Sequence, residues 1–590
     1  MASNPIQFAG QYWIVLVWIA GLAYLARFRT TRLYREVLAG SEWVLTGTLA
    51  ICAIALQVAY WTHAGGLWRD EANSINLATV PRIRDLWDHL DGDSFPLLWL
   101  LVLRGWAWMG LAGSDLSIRA LSLLISFGIL AAIFWIARRS GVAFPIISLL
   151  FVACNPVFVR CVGANRAYGL GILLLLAVYG AIGAILRNPF HWTRFAGACV
   201  LAILAVQCMY FNTVFLWMIT GSAVIVSLCR KDKARAAACA GIGLIATATM
   251  LPYIVIVHKQ QEWSGYITTP PRLDEICHVL SRVLESQGPF TFVVSVSLTI
   301  IALTFSIRYL MRHHEEMPAH SDRDRVLFSA LCLMLCGVGN MAFLWMLKYN
   351  VQTWYFAAFL AVAGVSLDTL IAVAMANDEV RRTARVAFAC VIGLASLATT
   401  QQSALARQTN IDIVAFTLQA TSSAKDRIIV VPWYFGTTFD RYYHGSAEWE
   451  TVPALDYYRY DFVRNMVRAV KREQTIEKDL GRIRLALQSG GRVSIVGELP
   501  QGHEKRRWVP DSKEHRQLDA CLISWYTQIR SELTTHSTLL SNVRVDNAEA
   551  IRPIEDAGIE TWSGWHDAPG SAKVRPQASV VVRDREQNAP

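Results

Sequence analysis

Two adjacent carboxylates, Asp70 and Glu71, stand directly after a long apolar run and open the stretch Leu67 to Met109, the densest acidic region of a mostly apolar chain. Further along come His89-Leu90-Asp91-Gly92-Asp93, and Ser94-Phe95-Pro96 then starts a Leu/Trp-rich segment. Carboxylates at the edge of an apolar run are costly to desolvate, so they persist where they meet a substrate, a cation or water. A carboxylate so placed can take a proton from a nucleophile or ligate a cation. The plainer reading is that Asp70 and Glu71 cap a helix, and that Asp93 does the same for the helix that Pro96 begins.

The elements that must position these groups are membrane helices. Of 590 residues 54% are hydrophobic and only 17% charged, a composition of polytopic membrane proteins rather than soluble domains. The net charge of +10 is accounted for by Lys and Arg in short loops between apolar runs, and no basic, aromatic-interleaved motif suggests nucleic acid as a partner. Twelve cysteines form no CxxC pattern, and only Cys277 and Cys521 lie in clearly polar stretches, so a disulfide between those two is a pairing without sequence support.

Apolar runs at Gln11–Ala26, Glu42–Trp61, Leu121–Ile136, Phe144–Val162, Gly169–Leu186, Phe195–Met209, Thr213–Leu228, Ala236–Val257, Phe290–Ser306, Val326–Leu347, Trp354–Met375 and Val386–Thr400 predict about twelve spans. No basic stretch precedes the first run and no small-residue cleavage site follows it, so it is expected to be retained. Pro96 to Met109 is too short to cross and carries Arg104 at its middle, which predicts an interfacial or re-entrant helix. With that assignment the basic loops at Arg27–Arg35, Arg138-Arg139, Arg187–Arg194, Arg230–Arg235, Arg308–Arg325 and Arg381–Arg385 all fall on one side, the cytoplasmic one. The segment 62–117 is then the first large extracytoplasmic loop. A multi-pass inner (plasma) membrane protein follows, with its site and C-terminal domain outside.

After residue 402 the composition becomes that of a soluble domain. Arg427–Pro432 and Val493–Gly497 read as strands, Asp461–Gln488 and Glu514–Arg530 as helices, and Ser579–Val582 as a late strand. The expected organisation is a transmembrane domain at 1–402, a small α/β domain at 403–575, and at 576–590 a late strand and a polar tail disordered at its end.

Four motifs in order carry a family resemblance: Trp68-Arg69-Asp70-Glu71-Ala72; Asp93-Ser94-Phe95-Pro96-Leu97-Leu98; Gly113-Ser114-Asp115-Leu116-Ser117-Ile118-Arg119; and Asn155-Pro156 followed by Asn165-Arg166-Ala167-Tyr168. Together they resemble the GT-C superfamily of polyprenyl-phosphate-sugar glycosyltransferases, in the bacterial branch of protein O-mannosyltransferases, the aminoarabinose transferase of lipid A and lipopolysaccharide-core glycosyltransferases. The resemblance covers Leu67 to Leu186, and the later helices by topology alone. It implies an inverting enzyme that moves a sugar from a polyprenyl phosphate to an extracytoplasmic acceptor, a glycolipid, polysaccharide or protein. It also implies that Asp70 is the catalytic carboxylate. Metal dependence differs between branches, so no metal or other cofactor is assigned.

Cleaving the bond between an anomeric carbon and phosphate needs a base on the acceptor and a cation on the departing phosphate. Asp70 suits the first role and Arg166 the second, because guanidinium matches phosphate geometry. Arg69, Lys259 and Lys348 are further cations expected near the outer surface, Tyr168 a hydrogen-bonding partner for sugar or phosphate, Asp93 a second substrate-side acid, and Glu71 a group that orients Arg166 or caps. Each has a plainer rival: Arg166 and Tyr168 as an interfacial anchor pair, Lys348 as a snorkelling lysine, Trp263 and Tyr266 as members of an aromatic belt. Two departures from the family pattern are Asn165, where many relatives carry an acid, and Gln352-Thr353-Trp354-Tyr355, where a late helix often begins with Arg-Tyr. The rival functions are a flippase of lipid-linked sugars, which intramembrane charges such as Arg104 and Arg160 would suit, and a non-catalytic scaffold that binds carrier lipid.

Overall fold

The computed structural model describes residues 20, 21, 24, 31–264, 271–285, 291–312, 322–347, 350–374, 379–472, 476–499, 513–544 and 555–567. They divide into two compact units: residues to Trp61 with Ile118–Pro252 and Pro271–Ala404, and Thr62–Ser117 with Tyr253–Pro270 and the chain from Leu405.

Among the described residues nine helices are long and apolar enough to cross a membrane, or ten if one bent pair is a single span, and the chain is a multi-pass membrane protein. The nine overlap nine of the runs read from the sequence. Of the other three, Gln11–Ala26 falls almost wholly outside the described residues, and Phe195–Met209 forms a helix of only 17 residues, Trp192–Cys208. Phe144–Val162 is not one straight span. It is two helices, Ile146–Ala153 and Pro156–Gly163, bent by 72°. Asn155-Pro156 supplies the cause. Proline at the first position of the second helix cannot continue the first, and the Asn155 side chain accepts the Phe158 N–H at 3.0 Å while donating to the Val283 carbonyl at 3.2 Å. The freed Cys154 carbonyl accepts from Thr400 Oγ1 at 2.8 Å. The Pro96–Met109 stretch is a 12-residue helix, Leu97–Trp108, too short to span.

Buried polar groups fix the first unit as much as its Leu/Ile/Ala core does. Asp368, 2% exposed, accepts the N–H groups of Ile147 and Ser148 at 3.0 and 2.8 Å and the Ser148 hydroxyl at 2.5 Å, which caps the Ile146–Ala153 helix from the Ala357–Ala374 helix. Gly364 lets those two helices meet, since a Cβ there would sit 2.9 Å from the Ser148 Cα. Glu42, fully buried, pairs with Arg382 and Arg385.

The second unit is built on a five-stranded sheet with β1 Arg427–Val430, β2 Glu448–Thr451, β3 Arg492–Val496, β4 Thr538–Arg544 and β5 Gly558–Ser563, in the order β2-β1-β3-β5-β4. β1 is parallel to both β2 and β3, and β5 is antiparallel to β3 and β4. Alternation in β1 sorts two cores. Ile428 and Val430 pack with Val414, Leu418 and Phe439, whereas Ile429 and Val431 pack with Met466, Ile483, Leu522 and Ile529. The expected strands correspond to β1 and β3. The expected helix Asp461–Gln488 is instead two, Phe462–Arg472 and Glu477–Gln488, and Ser579–Val582 lies outside the described residues.

Candidate active site

In the second unit the Asp-Glu pair sits on the first turn of the helix Arg69–Ala78. The two carboxylates have different surroundings. Glu71 is fully buried and its Oε2 accepts the Trp68 N–H at 3.3 Å, so it holds the chain where it enters the helix. Asp70 keeps 25% of its side chain exposed and accepts Arg69 Nε at 2.9 Å. The Arg69 guanidinium lies 5.1 Å from the centre of the Tyr434 ring and 5.2 Å from that of Phe462, which orients it toward Asp70.

Behind this pair stands a buried acid that sequence reasoning missed. Glu555 accepts the Arg69 backbone N–H at 3.2 Å and the Thr438 hydroxyl at 2.9 Å. Burial pushes its carboxyl up to about 7, against the opposing pull of Arg69 and Thr438. A folded-state value above the ordinary 4.5 means that the folded chain holds a proton the unfolded chain has lost, so this group's contribution is complete below about pH 4.5 and declines as pH rises through 7. Glu555→Gln should therefore flatten a loss of stability, on the order of 3 kcal/mol at most, between pH 5 and pH 8. Thermal midpoints of both proteins at the two pH values check this; equal slopes would refute it.

Asp93 is buried and ties back to the same helix, accepting Ser74 Oγ at 2.9 Å and the Ser94 N–H at 2.8 Å. Asp91 pairs with Arg464, and His89 Nδ1 lies 2.6 Å from Asp461 Oδ2, so this acidic group is joined to the Phe462–Arg472 helix region. Asp115 meets Arg441 at 2.8 Å and the Tyr442 hydroxyl at 2.5 Å, and that hydroxyl also receives the Leu67 N–H at 2.5 Å. Arg104 donates to the carbonyls of Ala78, Val80 and Pro81 at 2.7 to 3.0 Å, closing the end of the Arg69–Ala78 helix. Lys259 is exposed on the Ile254–Ser264 helix, and Trp263 is buried in the core rather than presented at a surface. No signal in the sequence pairs Asp115 with Arg441 or Arg69 with Glu555, since hundreds of residues separate them.

In the first unit Arg166 is 5% exposed, in the turn between the Pro156–Gly163 and Tyr168–Arg187 helices, where its N–H donates to the Ala164 carbonyl at 2.8 Å. Tyr168 lines an aromatic cleft with Phe211, Trp354 and Tyr355, and its ring lies 6.5 Å from that of Trp354. Two motif positions far apart in the chain thus meet. The Arg160 carbonyl accepts the Ala164 N–H at 3.0 Å, and its guanidinium meets no carboxylate among the described residues. Lys348 and Tyr266 lie outside them. The cysteines are all free thiols, Cys277 and Cys521 included. Among the described residues no group of three His, Cys, Asp or Glu side chains could hold a metal.

Asp70 and its neighbours belong to the second unit, Arg166 and Tyr168 to the first. No protein-family model matches the chain, and no curated protein matches its sequence. Solved structures do. ArnT from Cupriavidus metallidurans bound to undecaprenyl phosphate aligns at a TM-score of 0.49 and 10% identity over 90% of this chain and 100% of that one. The archaeal oligosaccharyltransferase AglB from Archaeoglobus fulgidus, in complex with an inhibitory peptide and a dolichol-phosphate, aligns at 0.44 and 11% over 90% and 75%. The A. fulgidus oligosaccharyltransferase with Zn and sulfate aligns at 0.42 and 12% over 68% of this chain, which spans 62% of that protein's length.

Proposed function

We propose that this chain is a GT-C type glycosyltransferase that moves a sugar from a polyprenyl-phosphate carrier to an acceptor on the extracytoplasmic side, with inversion and with Asp70 as the base. The observation that carries the reading is the division of labour in the acidic pair: Glu71 is buried under its own helix turn, while Asp70 keeps an accessible carboxylate oriented by Arg69. In the reaction the acceptor hydroxyl gives its proton to Asp70 and its oxygen bonds to the anomeric carbon. The bond from that carbon to the phosphate oxygen breaks, and its electron pair leaves with the carrier phosphate. Arg166 is assigned to that developing charge and Tyr168 to the sugar or phosphate; Arg69 orients Asp70, with Lys259 and Lys348 as outer cations. Asp93, anchored through Ser74, is assigned to positioning the Arg69–Ala78 helix for the substrate.

Arg160, which pairs with no carboxylate among the described residues, favours a second reading, movement of the lipid-linked sugar without cleavage. Mass spectrometry of glycolipids and surface polysaccharide from cells lacking the chain separates the two. Loss of one sugar residue from an otherwise complete product, with its donor accumulating, is the expected result. A product pool complete in every sugar and reduced uniformly would sink the transferase reading.

A further inference from the structure

Glu555 is an acid of the second unit to which the transfer reaction assigns no part, and it is 1% exposed. Its backbone is clamped on the segment before the Ile411–Thr421 helix: its N–H donates to the Gln408 carbonyl at 3.2 Å and its carbonyl accepts the Asn410 N–H at 3.2 Å. The carboxyl so placed meets the first residue of the Arg69–Ala78 helix, accepting an N–H that has no acceptor within that helix. The Thr438 and Thr409 hydroxyls donate to it as well. A cap alone needs only a short polar side chain at the start of the helix. Here the acceptor is a buried carboxyl from 486 positions along the chain.

The charged group facing Glu555 is the Arg69 guanidinium, which also donates to Asp70 at 2.9 Å and lies against the Tyr434 and Phe462 rings. Burial lowers the pKa of Arg69, and the charges of Asp70 and then Glu555 outweigh it and raise it. The other charges on the surrounding elements have partners of their own: Arg407 pairs with Asp412, Arg441 with Asp115, and Asp556 accepts Asn410 Nδ2 at 3.0 Å. One cation therefore stands between two carboxyl groups, and what one takes of its charge the other loses. With Glu555 neutral, Asp70 holds the guanidinium alone and is the weaker base. With Glu555 ionised, Asp70 is the stronger one.

We propose that Glu555 is a positioning residue for sugar transfer, which fixes the entry of the Arg69–Ala78 helix and, through the guanidinium of Arg69, sets how strongly Asp70 accepts a proton. This role rests on the reading of Asp70 as the base. Because burial pushes the Glu555 carboxyl up to about 7, the rate of transfer rises as pH passes through that value, the range in which the same ionisation lowers stability.

Two measurements on the full-length protein test it. The first needs no substrate: pH-difference infrared spectra of the protein in lipid vesicles follow its protonated carboxyl groups. The parent is expected to lose one such band as pH rises through about 7, Glu555→Gln to lack it, and Asp70→Asn to lose it about one pH unit lower, because Arg69 then faces Glu555 alone. A midpoint that Asp70→Asn leaves in place overturns the proposal, whatever Asp70 does in the reaction. The second follows glycosylated product formed by membranes from expressing cells, which bring their own donor and acceptor. Between about pH 6 and pH 8 the parent rate is expected to rise about three- to tenfold, and Glu555→Gln to stay at the low-pH rate throughout. A role confined to stability would lower the rate at every pH and keep the rise. That result, beside an inactive Asp70→Asn, sinks the proposal alone, whereas product at the parent rate from Asp70→Asn sinks the reading of Asp70 and the proposal with it. Should Glu555→Gln fail to fold, Thr438→Val carries both tests: without the hydroxyl that favours the ionised carboxyl, the band and the rise both move to higher pH, and unmoved values overturn the proposal.

Discussion

Exchanging Asp70 for asparagine is expected to reduce sugar transfer by about 10²- to 10⁴-fold, the usual contribution of a general base. Asparagine keeps an oxygen that can accept Arg69 Nε, so the local geometry has reason to survive while the proton acceptor is lost. The neighbouring exchange Glu71→Gln is the internal control. Its side-chain oxygen can still accept the Trp68 N–H, and transfer should stay within a few-fold of the parent. Complementing cells that lack the chain with each variant, then quantifying the glycosylated product and the polyprenyl-phosphate donor, reads both effects. Asp70→Asn should leave the donor to accumulate. Normal product from this variant would remove Asp70 from the chemistry, and a larger loss from Glu71→Gln would reverse the roles of the two acids.

Glu42→Gln is expected to cost about 3–5 kcal/mol of stability, the scale on which removing one partner of a buried ion pair is felt. Glu42 is fully buried between Arg382 and Arg385, so the amide takes from both guanidinium groups the counter-charge they share inside the first unit. A drop of several degrees in the thermal midpoint in detergent is the expected reading. Adding Arg385→Met to Glu42→Gln should recover part of it, because it removes one of the stranded charges. A midpoint unchanged by Glu42→Gln would show that water reaches the cluster and that the pair is not a buried one.

Nine of the expected spans were legible because length and apolarity suffice to define them, and at Phe144–Val162 a local rule overrode both. Asn155-Pro156 was visible in the sequence as a motif, yet the 72° bend depends on partners at Val283 and Thr400 that no window of neighbouring residues contains. In the C-terminal unit, β1 and β3 announce themselves as runs of Ile and Val, the composition of strands covered on both faces. β2, with the sequence Glu-Trp-Glu-Thr, and β4, mostly exposed at the sheet edge, carry no such run and are strands by pairing alone.

At the candidate site the residue types were legible and their division of labour was not. Asp70 and Glu71 are adjacent acids, and only the backbone geometry at Trp68, an unusual residue for a helix cap, turns one inward. Glu555 had no local mark at all. It lies among polar residues near the end of the chain, and its significance comes from the Arg69 N–H it accepts.

The partners of the segment 62–117 have a consequence for how the protein is made. Leu67, Arg69, His89, Asp91 and Asp115 all rest on groups that lie beyond residue 404. A ribosome therefore delivers this acidic stretch long before its supports exist, and it must wait, unassembled, while most of the membrane helices are inserted. Cutting the chain after the last span would remove more than a C-terminal appendage: it would leave Asp70 on a helix whose lateral braces are gone.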